Sequence, residues 1–510
     1  MYAAAADPAL GFPAWLRVTH FVNVFFLVML IRSGWEIIAS HPRFYWNNHC
    51  TPGSEWIKFT RDVVPTEEGA FTARDDQRSL SPLISLPGRA KIGIGRGWHG
   101  LVTALWVING VVYVSLLFGT GQWRRLVPTS WQVFPDAFES LKVYLSLQVP
   151  SLEHFNPYDA LQQLMYFTVV FIAAPLMMLT GPAMSPAVVG RFPWYAKLFR
   201  NRQTARSIHF IVMCFFVMFT AVHVVMVFVV HPKHNVTNMI VGEADPARFG
   251  QALTTLVILI GVMVAIWLYQ SYWSLADPRR AQVLLNRATE PIRAATINHL
   301  QSRQAAKQVF TEADISPYHW TNTRFPTEVE SLEWTALRAE GFASYRLEVG
   351  GLVADPVSLS LDDLKALPVQ EQITMHTCMQ GWTGIAKWTG VRLRDVLALV
   401  EPTEGAHYVM VESFGMAQHM HDGRPVEPYY TCLPKDVAME DETLLAWSRN
   451  DAPLSDHFGA PLRLRIESYH GYKMVKWVRS ISWIRDYREV GDGMGGTRED
   501  SGYQFINARI

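Results

Sequence analysis

The sequence predicts a membrane bundle of five transmembrane α-helices followed by an α+β domain. Hydropathy changes near residue 275. Before residue 275, five apolar runs reach the length of about 20 residues that a helix needs to cross a hydrocarbon core of roughly 30 Å. No run of that length follows residue 275. Farther along, the apolar residues form short strand-like segments separated by turns. We therefore expect a membrane domain at 1–275, a linker at 276–315, an α+β domain at 316–490 and a Gly-rich tail at 491–510.

Each apolar run is expected to be a retained membrane helix. The first run is longer than the apolar core of a signal peptide, and it lacks a basic N-terminal region and a small-residue cleavage site. No twin-arginine leader is visible. The runs are Trp15–Ala39, Trp98–Gly119, Tyr158–Thr180, Ser207–Val230 and Ala252–Trp273.

The segments between the runs differ in basic charge. Segments 40–97, 182–206 and 274–310 carry 8, 5 and 6 Lys and Arg residues, whereas the N-terminus, 120–156 and 231–251 carry 0, 3 and 2. Since basic loops stay in the cytoplasm, we expect a multi-pass protein of the bacterial inner membrane whose C-terminal half is cytoplasmic. Membrane lipid is therefore an expected partner, and no nucleic-acid-binding motif is present.

Four histidines lie inside the apolar runs: His20, His99, His209 and His223. Imidazole is costly in a hydrocarbon slab, so intramembrane histidines indicate function. His209 and His223 are 14 residues apart on one helix, which places them within about 40° of one face and about 21 Å apart along the axis. That helix could therefore serve two haems.

The other two histidines match these depths, because successive helices alternate in direction. His99 lies at the depth of His209, and His20 lies at the depth of His223. Two stacked bis-histidine haems need this arrangement. A single membrane histidine could instead be hydrogen-bonded packing or an interfacial group. The pattern resembles the membrane cytochrome b subunits of formate dehydrogenases and nickel-iron hydrogenases, which implies two b-type haems and a quinone partner.

The C-terminal half shows strand patterns and one distinctive cysteine. The chain has 4 cysteines and no CxxC pair, so no zinc ribbon or iron-sulfur cluster is indicated. Cys378 follows a strand and opens a glycine-bearing turn, where a thiolate could bind a soft metal, although a lone cysteine often serves as a small buried hydrophobe. Predicted strands are Tyr345–Val353, Gln372–His376, Tyr408–Glu412 and Leu462–Glu467, with a short helix at Val391–Val400.

Several motifs in this half, in order, resemble the sulfite oxidase-type molybdopterin-binding fold. They are Tyr345–Val353, Leu359–Leu364, Cys378, Trp388–Asp395, Gly459–Leu464 and His470–Val478. The resemblance implies that Cys378 is the protein thiolate on molybdenum. It also implies contacts with the cofactor from Asn322, Arg324, Ser413, His457, Arg463, Gly471, Tyr472 and Lys473. Guanidinium, ammonium and backbone N–H groups suit the pterin phosphate.

The residues after Cys378 depart from one branch of that family. Animal and plant sulfite oxidases have arginines there, whereas this chain has Met379–Trp382, which resembles the bacterial methionine sulfoxide reductase branch. We therefore expect a membrane molybdenum oxidoreductase that exchanges electrons and an oxygen atom with a small-molecule substrate and passes electrons to or from quinone through haem. The alternatives are a sulfite- or sulfoxide-type enzyme with a soluble redox partner, and an electron conduit whose pterin domain scaffolds or senses.

Overall fold

The computed structural model describes residues 11–148, 158–295, 309–417 and 427–503. Their contacts form two compact units. The first contains the chain up to Gly34, Trp98–Pro182 and Arg206–Tyr272; the second contains Trp35–Gly97, Ala183–Ala205 and the chain from Trp273 onward. Residues on the N-terminal side of position 275 thus contribute to both units.

The first unit is built on five helices long and apolar enough to span a membrane, as the sequence predicts. The third contains a π-helical stretch at Thr168–Ala173. Large apolar side chains such as Val112, Val225 and Val257 are exposed on them, as expected for lipid-facing positions. The helices are α1 (Ala14–Ser40), α2 (Ile92–Gly119), α3 (Ala160–Ala183), α4 (Arg202–Val229) and α5 (Phe249–Ala276).

Shorter helices connect these elements or pack on the sheets of the second unit. The expected linker begins as a helix, Pro278–Ala295, and residues 296–308 of the linker lie outside the described residues. The short helix predicted at Val391–Val400 is confirmed over Leu393–Leu397. The others are Val133–Leu145, Pro186–Arg191, Pro193–Leu198, Pro232–Ile240, Leu332–Ala339, Leu361–Ala366, Lys435–Ala438 and Thr497–Asp500.

Two five-stranded sheets and a small ribbon form the second unit. The ribbon pairs β1 (Arg43–Phe44) with β2 (Ile57–Lys58). The remaining strands are β3 (Arg346–Gly351), β4 (Val357–Ser360), β5 (Val369–Thr377), β6 (Thr383–Arg392), β7 (Tyr408–Met416), β8 (Pro428–Pro434), β9 (Leu444–Arg449), β10 (Ala452–Pro453), β11 (Arg463–Arg465) and β12 (Val478–Ile484). One sheet has the order β10-β9-β6-β5 with β11 also on β9, and the other has the order β4-β3-β12-β7-β8, in which only β3 and β12 are parallel.

The main core of this unit lies between the two sheets. Val391 of β6 and Leu445 of β9 belong to the same buried cluster as Val411 of β7 and Ile481 of β12, and all four are 0% exposed. Alternating buried positions in β3 turn one face of its sheet towards this core. The strand patterns of the sequence therefore predict an α+β domain correctly.

The segment between α1 and α2 is part of this second unit. Arg43 is buried and donates to the carboxylates of Asp76 (3.0 Å) and Glu55 (2.6 Å). The Ala73 backbone N–H donates to the carbonyl of Thr321 at 2.8 Å. A buried ion pair within the segment and a backbone bond to the domain beyond residue 309 together fix its path.

The tail is also fixed to the second unit. The Lys473 ammonium is fully buried and donates to the carboxylate of Glu499 and to the carbonyls of Cys432 (3.1 Å) and Gly495 (3.0 Å). Tyr430 donates its hydroxyl to Asp500 at 2.5 Å. The described part of the Gly-rich tail is therefore anchored to the second unit by buried residues.

We predict that Lys473→Met destabilises the protein by roughly 3–5 kcal/mol, because Glu499 would remain buried without its counter-ion. Thermal unfolding of the detergent-solubilised protein would measure the loss. Lys473→Met with Glu499→Leu should recover much of it. The control is Glu333→Gln, which removes an exposed partner of Arg479 and should change stability by less than about 1 kcal/mol. Equal effects of Lys473→Met and Glu333→Gln would contradict the assignment.

Candidate functional site

Cys378 lies in a tight turn between the hydrogen-bonded strands β5 and β6. Its N–H donates to the carbonyl of Trp382 at 3.1 Å, and its carbonyl accepts from Gly381 at 3.1 Å. Gly381 has φ +115°, a conformation that side chains disfavour, so glycine suits this position. The turn holds the thiol at the end of a rigid hairpin.

Cys378 is 2% exposed, and its thiol receives two N–H donors. Asn322 Nδ2 lies 3.3 Å from Sγ and the Gln380 backbone N lies 3.4 Å from it. Burial raises the pKa of the thiol, and these donors oppose that rise. A bound metal cation would stabilise the thiolate further, so the surroundings suit a metal ligand.

Two arginines and a glutamine hold the far side of the turn. The Arg96 guanidinium donates to the carbonyl of Met379 at 2.8 Å. Arg202 and Gln203 donate to the carbonyl of Gly381 at 2.7 and 2.9 Å. Sequence reasoning did not predict these supports, since they lie far from Cys378 in the chain.

Cys378 opens onto a cleft with a strongly cationic lining. Among the described residues that line it, five are basic and one, Glu330, is acidic. Such a surface attracts anions. The basic residues are Arg74, Arg324, Arg463, Lys476 and Arg498.

Arg463 tests whether the cleft fits a phosphate-bearing cofactor. Its side chain is buried, its Nη1 donates to the carbonyl of Phe458 at 3.2 Å, and its Nε has no hydrogen-bond partner among the described residues. Burial together with Arg465 and Arg449 lowers the pKa of Arg463 well below its usual range. A buried cation short of partners fits the pterin phosphate.

Lys476 lines the cleft, whereas Lys473 does not. Lys476 Nζ donates to the carbonyls of Thr323 (2.7 Å) and His457 (2.9 Å). Burial and the charge of Arg463 lower the pKa of Lys476 well below its usual range. Lys473 instead faces Glu499, as described above. The lysine available to an anion in the cleft is therefore Lys476.

The other residues predicted for the cofactor mostly surround the same cleft. Ser413 uses its hydroxyl on the backbone, donating to Lys476 O at 2.6 Å and accepting from Gly415 N at 2.8 Å. Arg324 lies 3.3 Å from the carboxylate of Asp75. His457 is not among the lining residues, and its ring packs against Phe325 at 4.9 Å. The lining residues of the predicted set are Asn322, Arg324, Cys378, Ser413, Arg463, Gly471 and Tyr472.

His376 is a further lining residue that sequence reasoning did not select. Its ring stacks on Trp382 at 5.0 Å, and Arg465 donates to its Nδ1 at 2.9 Å. Burial and Arg465 lower the pKa of His376 well below its usual range, so the neutral ring carries its proton on Nε2. A Cβ on Gly471 would approach that Nε2 to 2.1 Å, so only glycine fits there. The available signal was the position of His376 near the end of β5, two residues before Cys378.

The four intramembrane histidines form the two expected pairs in the first unit. The ring centroids of His20 and His223 are 6.3 Å apart, and those of His99 and His209 are 6.4 Å apart. An iron between two imidazoles has two metal–nitrogen bonds of about 2 Å each. With the distance from each nitrogen to its ring centroid added, the two centroids are separated by roughly 6 Å. Each pair therefore has the spacing for one iron between two imidazoles.

Hydroxyl groups fix the orientation of one pair. Ser33 Oγ lies 2.9 Å from His99 Nδ1, and Thr180 Oγ1 lies 2.8 Å from His209 Nδ1. The Ser33 hydroxyl donates its proton to the carbonyl of Met29, and the Thr180 hydroxyl donates its proton to the carbonyl of Leu176. Each must therefore accept Nδ1–H, which leaves Nε2 of both rings as the metal-binding nitrogen. His20 Nδ1 has no such partner among the described residues.

Comparison with known proteins matches each half of the chain to a protein family. Residues 11–242 match the family model of the prokaryotic cytochrome b561, and residues 335–490 match that of the oxidoreductase molybdopterin-binding domain. The chain fuses a cytochrome b561 domain to a molybdopterin-binding oxidoreductase domain. The predicted resemblance to both families is thereby confirmed, with haem b and molybdopterin as their cofactors.

Several individual proteins resemble parts of the chain. The putative protein-methionine-sulfoxide reductase subunit YedZ1 of Azospira oryzae is 36% identical over 32% of this chain and 56% of its own length. The catalytic subunit MsrP of Xanthomonas axonopodis pv. citri is 36% identical over 29% of this chain and 47% of its own. The chain thus spans about half the length of these curated relatives. The alignment with the crystal structure of the sulfane dehydrogenase SoxCD of Paracoccus pantotrophus covers 30% of this chain and 42% of the SoxCD chain. The sequence identity is 22% and the TM-score is 0.25.

We predict that Cys378→Ser abolishes molybdenum ligation and turnover, because an alkoxide is a hard donor of high pKa in place of a soft thiolate. Metal analysis and the Mo(V) electron paramagnetic resonance signal would show the loss, and folding should survive. Cys432→Ser is a matched buried control at 0% exposure, and exposed Cys214→Ser is a second; both should keep the metal. An active Cys378→Ser protein with an unaltered signal would refute the ligand assignment.

Proposed function

We propose that this protein is a membrane-bound molybdenum oxidoreductase that passes electrons between a molybdopterin site and the quinone pool through two b-type haems. The buried thiol of Cys378, opening onto a cleft with five cationic side chains, is the observation that carries the proposal. When bound, the molybdenum centre would supply oxygen-atom exchange by two electrons, and the haems would carry single electrons.

The residues of the cleft have distinct parts in this proposal. Cys378 binds the metal, and Asn322 orients its sulfur through the 3.3 Å contact. Arg463 and Lys476 hold the pterin phosphate. His376 presents an N–H to the cleft, where it can donate a hydrogen bond to the cofactor or the substrate. Gly471 allows the close approach of the chain to that ring.

Sulfoxide reduction is the first reaction to test, because the relatives described above carry the name of protein-methionine-sulfoxide reductases. The assay measures oxidation of a reduced viologen dye by methionine sulfoxide, together with the molybdenum content. Molybdenum and turnover support the proposal. Molybdenum without turnover of any oxo compound would favour the scaffold or sensor alternative, and turnover only with a soluble redox partner would remove the quinone link.

Each histidine pair is proposed to ligate one haem: His20 with His223, and His99 with His209. We predict that His209→Ala removes one haem and halves the haem content, measured by pyridine haemochrome. The variant Thr180→Val, which loses only the hydrogen bond to His209, should retain both haems and shift the midpoint potential of one. Unchanged haem content in all four single histidine variants would refute the ligation scheme.

We also propose that the molybdenum domain faces the cytoplasm, on the basis of the Lys and Arg bias of the loops. A fluorescent protein fused after Ile510 should be fluorescent, and alkaline phosphatase at the same position should be silent. A fusion in the loop 120–156 should give the reverse pattern and serves as the control. Active phosphatase after Ile510 would place the domain outside.

A further inference from the structure

One short helix of the first unit turns a row of apolar side chains away from the protein. It is the helix Val133–Leu145, in the segment between α2 and α3. Four large apolar side chains on this helix are between 37% and 73% exposed. We call them the apolar stripe: Phe134, Phe138, Leu141 and Leu145. A contiguous exposed apolar surface of this kind indicates an interaction site.

The stripe follows from the spacing of its residues. At about 100° of rotation per residue, its four members fall within roughly 60° of one another around the helix axis, and they extend over about 16 Å along it. Val133 and Ala137, which are buried, flank the stripe on one side. Glu139 and Lys142, which form an ion pair at 2.8 Å, flank it on the other side. The helix therefore has one face towards the protein, one apolar face and one charged face.

The helix is fixed at the level where α3 begins. Tyr144 donates its hydroxyl to the carboxylate of Asp159, and Gln162 Nε2 donates to the Tyr144 hydroxyl at 3.3 Å. Asp159 caps α3, since its carboxylate also accepts the backbone N–H of Gln162 at 2.9 Å. The first residues of a membrane-spanning helix lie near the boundary between hydrocarbon and water. The helix Val133–Leu145 therefore lies close to that boundary.

The side chains beside the stripe are typical of the lipid headgroup region. Trp131 precedes the helix, is 85% exposed, and stacks on Phe134 with the ring centroids 5.6 Å apart. The Lys142 ammonium lies 4.6 Å from the ring centroid of Phe138. Tryptophan is enriched at membrane interfaces, and lysine can lay its stem on apolar surface while its ammonium reaches water. An apolar stripe with these neighbours matches a helix that lies in the membrane interface.

Two observations favour lipid over a protein as the partner of the stripe. The lipid-facing side of α2 continues towards this segment, since Phe118 at the end of α2 is 50% exposed and stacks on Trp123 at 6.1 Å. At about 200 Å² for a whole large apolar side chain, four half-exposed ones offer roughly 400 Å². Each partner of a stable protein interface buries about 800 Å², so the stripe is too small to hold a protein by itself.

We propose that the helix Val133–Leu145 is an interfacial helix, which lies in the plane of the membrane with the apolar stripe among the acyl chains just below the lipid headgroups. The lipid belongs to the leaflet that surrounds the end of α2 and the start of α3. Glu139 faces water, and Lys142 lies at the headgroups between the two. The helix thereby anchors the segment between α2 and α3 to the bilayer, whichever cofactors the protein carries.

The test places a nitroxide spin label on single cysteines of the full-length protein in vesicles of phosphatidylethanolamine and phosphatidylglycerol. The background is Cys214→Ser, since Cys214 is exposed and the other three cysteines are buried. The labelled variants are Phe138→Cys and Leu141→Cys on the stripe, with Glu139→Cys as the matched control on the charged face. Power saturation of the nitroxide signal measures collisions with oxygen, which concentrates among acyl chains, and with a water-soluble nickel chelate.

The ratio of oxygen to nickel collisions should be about fivefold or more higher at positions 138 and 141 than at 139, because the acyl region excludes polar solutes. Circular dichroism and thermal unfolding of each variant serve as the control for folding, and all three altered positions are exposed. Equal access of the nickel chelate at the three positions would place the stripe in water and overturn the proposal. Exclusion of both oxygen and the chelate at 138 and 141, relieved by diluting the protein in lipid, would overturn it in favour of a second copy of the chain.

Discussion

Positive charge concentrated beside the Cys378 turn is the constraint on which the second unit depends. Five basic side chains line the cleft against one acidic residue among the described ones, and Arg463 is fully enclosed. Desolvated cations are costly unless anions or hydrogen bonds satisfy them. The polypeptide satisfies some of them, with carbonyls at Lys476 and a carboxylate at Arg324, whereas the buried Nε of Arg463 has no partner among the described residues and favours an anionic ligand. Ligand binding should therefore contribute to the stability of this unit as well as to its chemistry.

The first unit solves a related problem with a different type of group. Neutral imidazoles in an apolar bundle need their ring nitrogens satisfied, and hydroxyls from Ser33 and Thr180 do so for one pair. His20 lacks such a partner among the described residues, although Phe21 meets its ring edge-on at 5.4 Å. The two histidine pairs thus share their spacing but differ in their surroundings, and the hydrogen bonds around ligand rings tune a metal centre.

The sequence was sufficient for features that depend on periodicity, and insufficient for those that depend on distant partners. The five membrane helices follow from apolar length alone, and the strand that ends before Cys378 follows from its β-branched residues. Lys473 and Lys476 are three residues apart, so no local pattern decides which one faces the cleft. The deciding partner of Lys473 is Glu499 in the tail, which the sequence identifies only as Gly-rich. Arg74 was not predicted to line the cleft for the same reason, because its sequence pattern is that of a loop.

The second unit is discontinuous in the chain, and this has a consequence for biosynthesis. Segment 35–97 belongs to it but is made some 300 residues before the hairpin that carries Cys378. At a synthesis rate of about 5–20 residues per second, roughly 15–60 s pass between the synthesis of this segment and the synthesis of that hairpin. During that interval the hydrogen-bonding groups that later meet Thr321 and Gln380 are exposed. Assembly of the unit is therefore a late, post-insertion event, completed only when the residues around Glu499 emerge from the ribosome.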